Sequence, residues 1–141
     1  MVLTNFNDEI TDYSVIRFLD ADILLREVDG VGGTDFNSEA IGCFFYIASH
    51  EGCHKQAMEI SLGMSSASGS RNTDLLSKNH WLKQPDGKPR PGLDLIIKKQ
   101  DLSNRRRQRL YLTPKGKRLI KRFKHIIYDE SYFKSDDPEL N

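Results

Sequence analysis

The stretch Asp101-Leu-Ser-Asn-Arg-Arg-Arg-Gln-Arg-Leu-Tyr-Leu-Thr-Pro-Lys-Gly116 joins a polar turn, an alternating segment and a helix start. Over 109–112 the apolar Leu110 and Leu112 alternate with Arg109 and Tyr111, the period-two pattern of a strand with one buried face. Residues 93–98 read as a second strand, and the polar run 100–108 between the two reads as the tip of an antiparallel hairpin. Thr113 before Pro114 starts a helix for a physical reason. The hydroxyl caps, and a proline in the first helical position gives up no needed hydrogen bond. That helix is expected to run to about Tyr128, with Leu119, Ile120, Phe123, Ile126 and Ile127 on one face and Lys117, Arg118, Lys121, Arg122 and Lys124 on the others.

Working upstream, Ser65 or Ser66 can cap a helix reaching about Asn79 that contains Arg71, Thr73, Asp74, Leu75 and Leu76. A shorter helix over 54–62 carries Ala57, Met58, Ile60 and Leu62 and stops at Gly63, as a C-terminal glycine would. Two helices joined by so short a glycine-containing turn make a helix-turn-helix. Before them, a capping Asn37 or Ser38 precedes Ala40, Ile41, Phe44, Phe45 and Ile47, a central core helix ending before Gly52. The first helix, over 11–28, places Ile16, Leu19, Ile23 and Leu24 at helical spacing, and Gly30, Gly32 and Gly33 follow as a linker. Residues 83–92 are rich in Pro, Gly and charge and read as a loop. The fold class is therefore mainly α with a small β-hairpin: a winged helix-turn-helix. The expected organisation is one domain over 1–128, with the helix-turn-helix at about 54–79, the wing at about 93–112 and an acidic tail at 129–141.

At 141 residues and 38% hydrophobic content the chain can bury one continuous core. No run reaches the roughly 18 apolar residues of a membrane span and no signal peptide opens the chain, so a cytoplasmic location away from membranes is expected. The net charge of +1 conceals two opposed blocks. Residues 1–60 hold eleven acids against Arg17, Arg26 and Lys55, whereas 71–124 hold seventeen bases against Asp74, Asp86, Asp94 and Asp101. A block of +13 centred on a hairpin has the composition of a phosphate-binding face; its plainer alternative is a solvated charged surface.

From Leu62 to Ile120 the order of features resembles the MarR family of bacterial winged-helix transcription regulators. The quoted stretch carries the resemblance: an Asp, two variable residues, a second acidic position filled here by Asn104, arginines, an alternating strand, then Leu112-Thr-Pro-Lys-Gly116 opening the next helix. Ser65, Ser70, Arg71, Asp74 and Leu76 fall where family members often carry the same residues, while Gly69 and Thr73 occupy positions that are usually apolar. The resemblance implies a homodimer on double-stranded DNA, with the 65–79 helix in the major groove and the wing at the minor groove. The interior Gly69 of that helix costs about 1 kcal/mol relative to alanine, so a first turn that is loose without DNA is expected. Sensing of a small-molecule effector is a habit of that family, and these residues point to no particular effector.

Guanidinium groups on a flexible tip can enter a narrow minor groove or fork onto phosphate oxygens, which singles out Arg105, Arg106 and Arg107. Lys98, Lys99 and Arg109 would support their field. On the predicted recognition helix Ser66, Ser68, Ser70, Arg71 and Asn72 are candidates for phosphate or base-edge hydrogen bonds. Cys43, His50, Cys53 and His54 match no zinc spacing, and no nucleophile with a base, apolar carboxylate pair or phosphate-cradling loop stands out. No metal, cofactor or catalysis is expected, and Trp81 is read as core beneath the wing. Two other functions remain open at this point: a winged-helix module binding polymerase or another regulator, suggested by the acidic first third, and RNA binding by the same basic face.

Overall fold

The computed structural model describes residues 8–28 and 36–132, and within them the side chains other than those of 8–12 and 80–82. In chain order these residues form helices α1 (Asp8–Glu27) and α2 (Ser38–Ser49), the two-residue strand β1 (Cys53–His54), helices α3 (Lys55–Leu62) and α4 (Ser66–Leu76), strands β2 (Asn79–Lys83), β3 (Pro89–Pro91), β4 (Ile96–Gln100) and β5 (Gln108–Leu112), and helix α5 (Pro114–Tyr128). The glycine linker, the Trp81 side chain and the tail beyond 132 lie outside the described residues.

Local chemistry sets the helix ends. The Asn37 side chain accepts from the Ala40 amide at 2.9 Å, and Gly63 closes α3 in the left-handed region at φ 63. Ser65 accepts from the Ser68 amide at 3.1 Å and caps the first turn of α4. Thr113 accepts from the Gly116 amide at 2.9 Å, with Pro114 as the first residue of α5.

The expected loop at 83–92 is instead the turn and return strand of a hairpin made by β2 and β3. Gln84 N donates to Lys88 O at 2.8 Å, the Asp86 carboxylate accepts from Lys88 N at 3.0 Å, and Gly87 supplies a φ of 82. Pro85-Asp86-Gly87 is a turn signature in its own right, and Pro89 and Pro91 fit a two-stranded edge that needs few donors. The α4 helix stops at Leu76, short of the expected Asn79.

A three-stranded antiparallel sheet has the order β1-β5-β4. Its β4–β5 hairpin runs in register from Ile96 opposite Leu112 to Gln100 opposite Gln108, and β1 adds Cys53 opposite Leu110. The first wing strand thus begins at Ile96 rather than at residue 93. Leu93 N and Leu95 N donate to the carbonyls of Leu75 and Leu76 at 2.9 and 2.7 Å, which seats both leucines in the core.

The chain divides into two compact units, Val28–Ile120 and Met1–Glu27 with Lys121–Asn141. In the first, Phe44, Ile47, Met58, Leu76, Leu93, Leu95, Ile96 and Leu110 are fully buried. In the second, Arg17 donates to the carbonyls of Ile126 and Asp129 at 2.6 and 2.8 Å, satisfying acceptors at the end of α5. Tyr132 donates its hydroxyl to Asp20 at 2.5 Å. Of the four residues placed at helical spacing on α1 only Leu24 is buried, beside Ala21 and Leu25; Ile16, Leu19 and Ile23 are exposed, as are Tyr13, Val15 and Phe18. Among the described residues no helix is long and apolar enough to cross a membrane.

Candidate nucleic-acid interface

Helices α3 and α4 approach closely because Gly69 has no side chain. A Cβ there would stand 2.0 Å from Oε2 of Glu59, and Glu59 is buried and bonded to Lys55 Nζ at 2.6 Å. Thr73 is fully buried and returns its hydroxyl to the Gly69 carbonyl at 2.8 Å. Both positions thus serve the packing of the helix pair.

With that inner face fixed, Ser66 and Arg71 are exposed, and Ser68 and Ser70 are half-buried. Arg71 Nη2 lies within hydrogen-bond reach of Ser68 Oγ, at 3.3 Å, so the two polar groups stand together on the outer side of the first turns. Asn72 departs from the expectation. It is buried at 5% exposure and its amide points to Glu39 of α2 at 3.4 Å, which leaves it no face for a base or phosphate.

The wing tip is built around one carboxylate. Asp101 Oδ1 accepts from the amide and hydroxyl of Ser103 at 3.0 and 2.8 Å, and Oδ2 accepts from His54 Nε2 at 2.7 Å. Asp101 N donates to Arg107 O, and Arg107 N to Asn104 O, each at 2.9 Å. The His54 bond, and then those of Ser103, hold the Asp101 carboxyl well below the usual carboxylate range. Asn104 accepts from Arg106 N at 3.1 Å, so an amide oxygen suffices there to shape the turn. Arg105, Arg106 and Arg107 are exposed on this closed turn.

The three supporting bases divide. Arg109 is a strut: Nη1 donates to Gly52 O at 2.9 Å and Nε lies 3.4 Å from Asp101 Oδ2. Lys98 pairs with Asp74, tying β4 to α4. Lys99 lies 5.1 Å from the ring centroid of Tyr111. A groove of about 430 Å³ separates the wing tip from the first turns of α3 and α4, lined among others by Gln56, Ser66, Gln100, Arg106 and Gln108. Amide and guanidinium donors on the wing side face the Gln56 amide and the Ser66 hydroxyl on the helix side, where the Glu59 carboxylate is paired with Lys55, a lining that suits a chain of phosphates.

The sequence shows His54 only as a possible metal ligand, not as the partner of Asp101, and gives no sign of Glu59. Each acts through a partner on another element, and spacing carries no sign of such pairs. Asp101 heads the quoted stretch and was visible, although its contact with His54 spans 47 residues. The residues considered for metal are engaged separately. Cys43 is buried with its Sγ 3.7 Å from Met64 Sδ, its thiol pushed up to about 11 by burial and by the carboxylates of Glu39 and Glu59. Burial also raises the Cys53 thiol, and His50 stacks on Tyr46 at 4.4 Å. Among the described residues no group of three His, Cys, Asp or Glu side chains could hold a metal ion.

A helix-turn-helix followed by a β-hairpin wing and a closing helix defines the winged-helix class. Within it the chain is similar to solved MarR-type regulators. It aligns with a DNA complex of MepR from S. aureus at a TM-score of 0.63 and 17% identity, over 95% of this chain and 94% of that one. It aligns with MarR at 0.54 and 16%, over 92% and 84%, and with the transcriptional repressor CouR bound to a 23-mer DNA duplex at 0.54 and 16%, over 92% and 77%. No family model matches the chain, and no curated protein does. At these identities the likeness establishes the MarR-type winged-helix fold.

Proposed function

We propose that the chain is a transcription regulator that binds double-stranded DNA, with α4 in the major groove and the arginines of the wing at the minor groove. The observation that carries this reading is the placement of Arg105, Arg106 and Arg107 on a tip pinned by Asp101, across a polar groove from the capped first turn of α4. Solved structures of the same fold that are described as DNA complexes support it. Contacts are assigned to Ser66, Ser68, Ser70, Arg71 and the three tip arginines, with Lys98, Lys99 and Arg109 holding the wing and adding to its field. Asn72 is left out because it is buried.

Removing a side chain that binds one phosphate should flatten the slope of log affinity against log salt by about one unit. Arg106→Ala and Arg107→Ala, measured separately across a salt series, are expected to do so and to weaken binding. Unchanged affinity and slope in both variants would refute the wing assignment.

The protein is further proposed to act as a homodimer. Tyr13, Val15, Ile16, Phe18, Leu19 and Ile23 leave α1 with an apolar surface in water, and such surfaces mark association sites. Phe18→Glu should shift the mass measured by light scattering from dimer to monomer. A wild-type monomer at high micromolar concentration would refute this.

A further inference from the structure

Among the described large apolar side chains Leu102 is the most exposed, at 101%, with Ile60 next at 74%. A single apolar side chain in water is ordinary on protein surfaces, so its meaning lies in where it stands. Leu102 sits in the turn that carries the three exposed arginines, and the backbone on both sides of it is held. Asp101 N donates to Arg107 O at 2.9 Å, Ser103 N to Asp101 Oδ1 at 3.0 Å, and Gln100 Nε2 to Arg105 O at 2.8 Å. The hydrogen-bonded turn thus exposes one leucine and, three to five residues further along, three arginines. The fold gains no burial from that leucine, and a polar residue would serve a solvated turn equally well.

We propose that Leu102 is an apolar wedge that enters the minor groove beside the arginines and leans into a base step. The inference rests on the DNA-binding reading above and adds to it a residue that selects sequence. The negative potential of a narrow minor groove draws the guanidinium groups in, while its floor and walls of base edges and sugars can desolvate a leucine. Apolar side chains inserted there unstack a step and bend the duplex. Unstacking costs least at the flexible steps TA and CA/TG. Leu102 then converts the deformability of one step into preference at a position where no hydrogen bond reads a base.

The test is selection from a random duplex library with the wild-type chain, Leu102→Ser and Leu102→Met, followed by salt-series affinity and a fluorescence-transfer measurement of bending on the best site. The wild type should enrich a pyrimidine–purine step at a fixed distance from the sequence read by α4, and should bend the site. Leu102→Ser should lose the step preference and the bend and bind roughly ten- to a hundredfold more weakly, the equivalent of leaving a leucine unburied. Its melting temperature and salt slope should match those of the wild type, since neither fold nor phosphate contacts depend on Leu102. Leu102→Met should keep preference and bend. Wild-type preference, bend and affinity in Leu102→Ser would overturn the wedge, as would a flattened salt slope, which would make Leu102 a support for the arginines. A wild-type chain that binds no duplex would overturn the DNA reading itself, and the wedge with it.

Discussion

Asp101 ties the wing turn to β1 through His54, the residue before α3, and closes the arginine turn through Ser103. Asp101→Asn puts an amide donor where two oxygens accept, so it should loosen the tip and lower DNA affinity several-fold, with the Ser103 amide resonance as the direct reporter. The lowered pKa of Asp101 sets the sign of its pH dependence. Its contribution to stability is fully present above the ordinary carboxylate range and is lost only as pH falls through its depressed folded value. An NMR titration should place the carboxyl midpoint below that range; an ordinary midpoint would contradict the clamp. Burial that pushes the Cys43 thiol up to about 11 predicts that it resists iodoacetamide at neutral pH until the chain unfolds, with mass spectrometry as the readout. The tip arginines were legible in the sequence because they are consecutive and flanked by turn residues. The inward turn of Asn72 could have been read from its spacing, three and four residues before the buried Leu75 and Leu76, but its partner Glu39 on α2 could not.

Two substitutions test how the elements are held. Intrinsic helix propensity favours Gly69→Ala by about 1 kcal/mol, but the added methyl would drive Glu59 from its site against Lys55, an overlap worth about 1–3 kcal/mol. The overlap should win and the melting temperature should fall; a rise would contradict the close approach of α3 and α4. Thr113→Ala removes the cap of α5 and the donor to the Asp94 carbonyl, which should cost about 1–2 kcal/mol in denaturant unfolding. Helices α2 and α5 were legible nearly to the residue because their caps are local side chains. The β2–β3 hairpin was hidden because its prolines and glycine are also the signals of a loop, and the two-residue β1 is too short to show a period.

At the scale of the molecule the charge pattern is the clearest functional signal in the sequence. Seventeen bases in 71–124, against an acidic first 60 residues, would draw a polyanion to one part of the chain and repel it from another. The fold concentrates part of that charge at the wing tip while spending Lys98 and Arg109 on internal ties, a division that a count of charges cannot reveal. The sequence also concealed the exposed side of α1, because apolar residues at helical spacing read alike whether they face a core or a partner. Equilibrium binding of the wild-type chain to a random-sequence DNA duplex across a salt series, with double-stranded RNA as competitor, tests DNA binding by this basic face. Tight binding at low salt, a steep linear fall of log affinity with log salt, and preference for DNA over RNA at equal salt are expected of DNA binding. No binding at low salt, or preference for RNA, would contradict it.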